Sequence, residues 1–104
     1  MSMTLPGMCV PCLRDCLLTE LRERGMAEGW PFRAALERIG YVGGHDVRLD
    51  MDADGWAIET ALRRRVEQQR AARGAHERPR LVAAETVLEM LGLPSVPDVR
   101  RTEA

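Results

Sequence analysis

The chain has no Lys and no Asn, only Ser2 and Ser95 as serines, and just two Trp, one Tyr and one Phe in 104 residues. All 15 of its cations are therefore Arg, a bias that GC-rich codons produce and that points to a GC-rich bacterium or one of its phages. No apolar run approaches the roughly 20 residues that a membrane-spanning helix needs, which argues against a membrane partner. Residues 1–7 lack the basic start and long apolar stretch of a signal peptide, so the expected location is cytoplasmic. Cysteines number three, and an odd count fits free thiols, a metal site or a reactive thiol better than a closed disulfide framework. With serine scarce and His45 and His76 in no meaningful spacing to it, nucleophilic catalysis has no visible basis. A non-enzymatic role is favoured.

What is present suits one domain. With 45% hydrophobic and 30% charged residues the chain is neither disordered overall nor membrane-like. One compact helical domain over 1–94 and a charged tail over 95–104, which holds Pro97, is the expected organisation. Net charge is −1, but residues 1–60 carry six Arg against ten acids, whereas residues 61–80 carry seven Arg against two. An anionic partner would meet the third quarter of the chain.

Periodicity predicts a mainly α protein, a small bundle of about four helices with a short β element around 41–51 between the second and third. Residues 1–8 show no period and are expected to be a loose lead-in. Pro11 suits a first helical turn, and Leu13, Cys16, Leu17 and Leu21 then form an apolar stripe ending near Gly25. Phe32, Ala35, Leu36 and Ile39 repeat in the same way before Gly40. Val47, Leu49 and Met51 alternate with acids and Arg as a half-buried strand does, and Tyr41 and Val42 are candidates to pair with it as a hairpin. Asp54 is placed to cap a third helix over 55–73, whose stripe is Ile58, Ala61, Leu62 and Val66. Pro79 opens a fourth, with Leu81, Ala84, Leu88 and Leu91 on one side and a Schellman-type stop at Gly92, Leu93 and Pro94.

The chemically distinctive feature is Cys9, Cys12 and Cys16. C-x-x-C spacing lets two sulfurs face one ion, and the four-residue step from Cys12 to Cys16 keeps them on one helical face. A structural zinc site would need a fourth ligand: His45, in a Gly-flanked turn, is the first candidate, with His76, an acidic residue or a cysteine of another chain as alternatives. Equally, Cys16 belongs to the leucine stripe and reads as a buried core thiol. The Cys-Val-Pro-Cys stretch resembles a thioredoxin-type active-site turn, which implies a thiol oxidoreductase using Cys9 and Cys12. The C-x-x-C-x-x-x-C spacing also resembles part of an iron–sulfur ligand run, without its fourth cysteine.

Two further constellations stand out. The stretch Asp50-Met51-Asp52-Ala53-Asp54-Gly55 resembles the opening of an EF-hand calcium loop, although Ala61 occupies the position of the bidentate Glu. With Glu59 it is similar to the shorter loop of Excalibur-type calcium-binding domains, so Asp50, Asp52, Asp54 and Glu59 are candidate calcium ligands. The alternative is a strand face followed by a helix cap. Arg63, Arg64, Arg70 and Arg73 are candidate contacts to a polyanion, against the alternative of a solvated helix face. Consecutive arginines fan around a helix, and the run has no aromatic residues for stacking on bases.

These features together suggest a small regulatory or adaptor protein that binds a protein or nucleic-acid partner, with an N-terminal zinc site as its candidate cofactor. The alternatives are a metal-free assembly component of a homo-oligomer or larger complex, and the thiol oxidoreductase.

Overall fold

A computed structural model describes residues 2–40, 45–71 and 78–94. Tyr41, Val42, Arg73, His76 and the tail 95–104 lie outside the described residues. In chain order the elements are β1 (Ser2–Leu5), a 3-10 turn (Gly7–Cys9), α1 (Val10–Glu28), α2 (Trp30–Ile39), β2 (Val47–Asp50), α3 (Met51–Ala71) and α4 (Arg78–Met90). Four helices surround one apolar cluster, and the β element lies between the second and third as its alternation indicates.

The periodic stripes become the core. Leu13, Cys16 and Leu17 of α1, Phe32, Ala35 and Leu36 of α2, Ile58, Ala61, Leu62 and Val66 of α3, and Ala84, Leu88 and Leu91 near α4 are all buried. Each is removed from water because residues three and four apart share a helical face. Gly25 breaks α1 with φ of 83°, where the stripe ends, and turns the chain toward α2. The corner needs a second glycine. A Cβ on Gly29 would lie 2.6 Å from the Gly25 carbonyl oxygen and 3.2 Å from Leu21 Cα. At the far end of the fold, Gly92 N–H donates to the Glu89 carbonyl and Leu93 N–H to the Leu88 carbonyl, both at 3.0 Å, which is the hydrogen-bond pattern of a Schellman stop.

Two expectations need correction. Residues 1–8 are not a loose lead-in: Ser2–Leu5 is a strand, antiparallel to Val47–Asp50, with Met3 opposite Leu49 and Leu5 opposite Val47. Among the described residues, the strand partner of β2 is thus the distant N-terminus. Leu5 is fully buried, and the Gly7 N–H donates to Asp46 Oδ1 at 2.9 Å, so both ends of this segment are tied down. Burying a Leu side chain contributes about 1.5–3 kcal/mol, enough to order a short strand that has few apolar residues of its own.

The second correction concerns the start of α3. The helix begins at Met51, directly after the strand, one turn before the position that Asp54 would have capped. Asp50 supplies the cap, its Oδ1 accepting from the N–H groups of Asp52 at 3.1 Å and Ala53 at 3.2 Å. Asp54 instead lies within the helix, buried, with both carboxylate oxygens accepting from the Arg38 guanidinium of α2 at 2.8 and 2.7 Å. This two-pronged pair ties α2 to the first turn of α3. Among the described residues no helix is long and apolar enough to cross a membrane.

Candidate functional site

The helix start places the three cysteines differently from one another. Cys9 closes the 3-10 turn at the N-terminus of α1, and its side chain makes no cap to the helix. Its Sγ faces Met90 Sδ of α4 at 3.6 Å. Cys12 and Cys16 pair instead, one helical turn apart, with Cys16 buried among the leucines and Cys12 half-buried. The Cys16 thiol donates to Cys12, which lowers the Cys12 pKa below the usual cysteine range; burial opposes the shift and the Arg65 guanidinium reinforces it. Cys16 is held protonated by the same bond and by its burial, its pKa well above that range. All three thiols are free.

The lowered pKa thus falls on Cys12, the second cysteine of the C-x-x-C stretch. A strand does lead into the turn, but it belongs to a two-stranded antiparallel sheet, and no further strand stands beside it among the described residues. His45 is exposed on the bend before β2. Among the described residues, no three His, Cys, Asp or Glu side chains form a group that could hold a metal ion. This applies to the aspartate loop as well: Asp50 caps α3, Asp54 is clasped by Arg38, and Glu59 lies 3.9 Å from Arg63.

The arginines of α3 face inward or sideways to acids. Arg64 meets the buried Glu20 and the exposed Glu23, each at 3.0 Å. Arg65 is buried and reaches Asp15 at 2.7 Å and Thr19 at 3.2 Å. Burial disfavours its charge, yet the hydrogen bond to Asp15, the Asp15 charge and the neighbouring Cys16 and Cys12 together outweigh this and its pKa is raised. Arg70 meets Glu85 at 3.1 Å, and Arg63 donates to the Pro94 carbonyl at 3.2 Å. Arg64 and Arg70 thus bind helices together, and Arg63 ties α3 to the segment after α4, as well as facing solvent.

What the sequence pattern did not reveal is a groove of about 490 Å³ beside Trp56. Its walls are Met3 of β1, Met51, Gly55, Trp56 and Glu59 along one flank of α3, and Leu91 and Leu93 after α4, with Asp52 at the rim. At 100° per residue Trp56 lies about 160° around α3 from Ile58, so it projects away from the core stripe. It is 61% exposed. Yet the ring is held, its centroid 5.6 Å from that of the buried Phe32 at a 48° tilt. Arg24 covers Phe32 at 4.9 Å and also meets Glu20 at 3.4 Å, which is the Glu shared with Arg64. An indole on the polar side of an amphipathic helix, next to a glycine, was the available signal.

The groove is lined by thioethers, an indole, aliphatic groups and two carboxylates. It can desolvate and hold an apolar side chain. No known protein family, curated protein or solved structure matches the chain, so its own side chains must carry the functional argument.

Proposed function

We propose that the chain is a small non-enzymatic adaptor or regulatory protein that holds a segment of a partner protein in the groove beside Trp56. The observation that carries this is the state of Trp56: 61% exposed, but fixed on Phe32 and facing Met3, Met51, Leu91 and Leu93. Exposing an indole in a preformed apolar groove costs solvation that only an occupant recovers, and Trp is enriched among residues that dominate binding energy. Thioether side chains adapt to the shape of an occupant at small cost. A protein partner is favoured over nucleic acid because Arg64, Arg65 and Arg70 have intramolecular carboxylate partners and Arg63 is occupied at Pro94.

Selection of a displayed library of random peptides, about 15 residues long, on the immobilised protein tests the proposal. Retention should depend on Trp56, with Trp56→Ala releasing the selected peptides while its urea midpoint stays close to that of the parent. A library in which no peptide distinguishes the two proteins would sink the docking function.

A further inference from the structure

Docking in the groove makes no use of the Cys12 and Cys16 pair, and we propose a separate role for it: Cys12 is a site of reversible oxidation by hydroperoxides, and Cys16 resolves the oxidised sulfur into a disulfide within α1. Cys12, Asp15, Cys16 and Thr19 are spaced so that they share one face of that helix. Arg65 of α3 lies across this face, its Nη2 2.7 Å from Asp15 Oδ2 and 3.2 Å from Thr19 Oγ1. Two thiols and a buried cation are thereby gathered at one helix–helix contact.

Exposure and contact divide the roles. Cys16 is 1% exposed and closed to a solute, whereas Cys12 is only half-buried at the start of the helix. The Cys16 thiol donates to the Cys12 sulfur, so the two sulfurs already touch, and the Arg65 charge favours a thiolate at Cys12 against burial and the Asp15 charge. Cys9 is turned elsewhere: its Sγ faces Met90 Sδ of α4 at 3.6 Å. The resolving thiol is therefore the one a helical turn further on, not the one at the other end of the C-x-x-C stretch.

The Cys12 thiolate attacks one peroxide oxygen, forming an S–O bond and breaking the O–O bond, and the departing alkoxide takes a proton from solvent and leaves as an alcohol, or as water from hydrogen peroxide. Cys12 is then a sulfenic acid. The Cys16 sulfur attacks it, an S–S bond forms, the S–O bond breaks, and the hydroxide leaves with the Cys16 proton as water. The two thiols lose two electrons and the peroxide gains them. Cβ atoms four residues apart on a helix lie about 5–6 Å from each other, and a disulfide draws them to about 3.8 Å, so closure tightens the first turn of α1, where Pro11 has no N–H to give up. A bridge closed against that strain is readily reduced, which suits a reversible mark better than a structural bond.

Peptide mapping of the full-length chain tests the proposal. Trypsin cleaves after Arg14 and Arg22, leaving Cys9 and Cys12 on peptide 1–14 and Cys16 on peptide 15–22. After limiting hydrogen peroxide near neutral pH and alkylation of the remaining thiols, the two peptides should be joined through Cys12 and Cys16, with Cys9 alkylated. This oxidation should run about tenfold faster than in the same chain unfolded in urea. Cys16→Ala should stop at a Cys12 sulfenic acid that dimedone captures, and Cys9→Ala should close the disulfide as readily as the parent. Urea midpoints show whether these variants are folded, and the parent's own map decides the pairing without them. A bond between Cys9 and Cys12, a bond between two chains, or oxidation no faster in the folded chain than in urea overturns the proposal and leaves the docking function untouched.

Discussion

Arg65 of α3 and Asp15 of α1, fifty positions apart, meet at 2.7 Å with the Arg side chain only 7% exposed and the Asp 55% exposed. The pair is asymmetric, and so are the costs of breaking it. Asp15→Ala leaves a buried guanidinium with Thr19 as its remaining hydrogen-bond acceptor at this site, and should destabilise the fold by about 1–3 kcal/mol. Arg65→Met keeps most of the packed stem and removes the buried charge, and should cost less. Urea unfolding of the two variants checks the order.

A second expectation concerns the entry to α3. Asp50→Ala removes the acceptor for two free N–H groups and should cost about 1 kcal/mol, whereas Asp50→Ser should retain most of the stability. If Asp50→Ala is neutral in thermal unfolding, the cap is elsewhere.

The strand at the N-terminus gives a third. Leu5→Ala should destabilise by about 2–4 kcal/mol, as deletion of a fully buried Leu side chain does. The same substitution in a loose lead-in would have no measurable effect. Chemical denaturation therefore separates the two descriptions directly.

The thiols give a fourth. Iodoacetamide should label Cys12 at lower pH than an unfolded thiol requires, while Cys16 resists until the chain unfolds. Cys16→Ala removes the donor and should move the Cys12 labelling profile back up toward the usual range. The linkage to stability runs in opposite directions. The Cys12 contribution is complete above the unfolded thiol pKa and is lost as pH falls through the lowered folded value. That of Cys16 is present below the unfolded value and is lost as pH rises toward its raised folded value. Mass spectrometry of labelled peptides across a pH series reads both thiols at once.

The helices were legible because their apolar residues repeat over several turns, as Ile58, Ala61, Leu62 and Val66 do. The N-terminal strand was not, since four residues with two apolar side chains define no period and the partner lies some 45 positions away. Asp54 looked like a cap because a carboxylate before a helix and one in its first turn are alike in composition; only Arg38, brought over by α2, distinguishes them. The arginine run suggested a free cationic face, and the acids that meet it, Asp15, Glu20, Glu23 and Glu85, lie on other helices. The groove was least visible of all, because no local pattern contains it.

That dispersal has a consequence for timing. The walls beside Trp56 come from position 3, from positions 51–59 and from positions 91–93. A chain emerging from the ribosome, N-terminus first, has its first two walls long before the third. Recognition in the proposed groove would then begin only once translation has passed Leu93 and α4 has docked, so that a bound partner reports an assembled four-helix unit and a partly made one goes unclaimed.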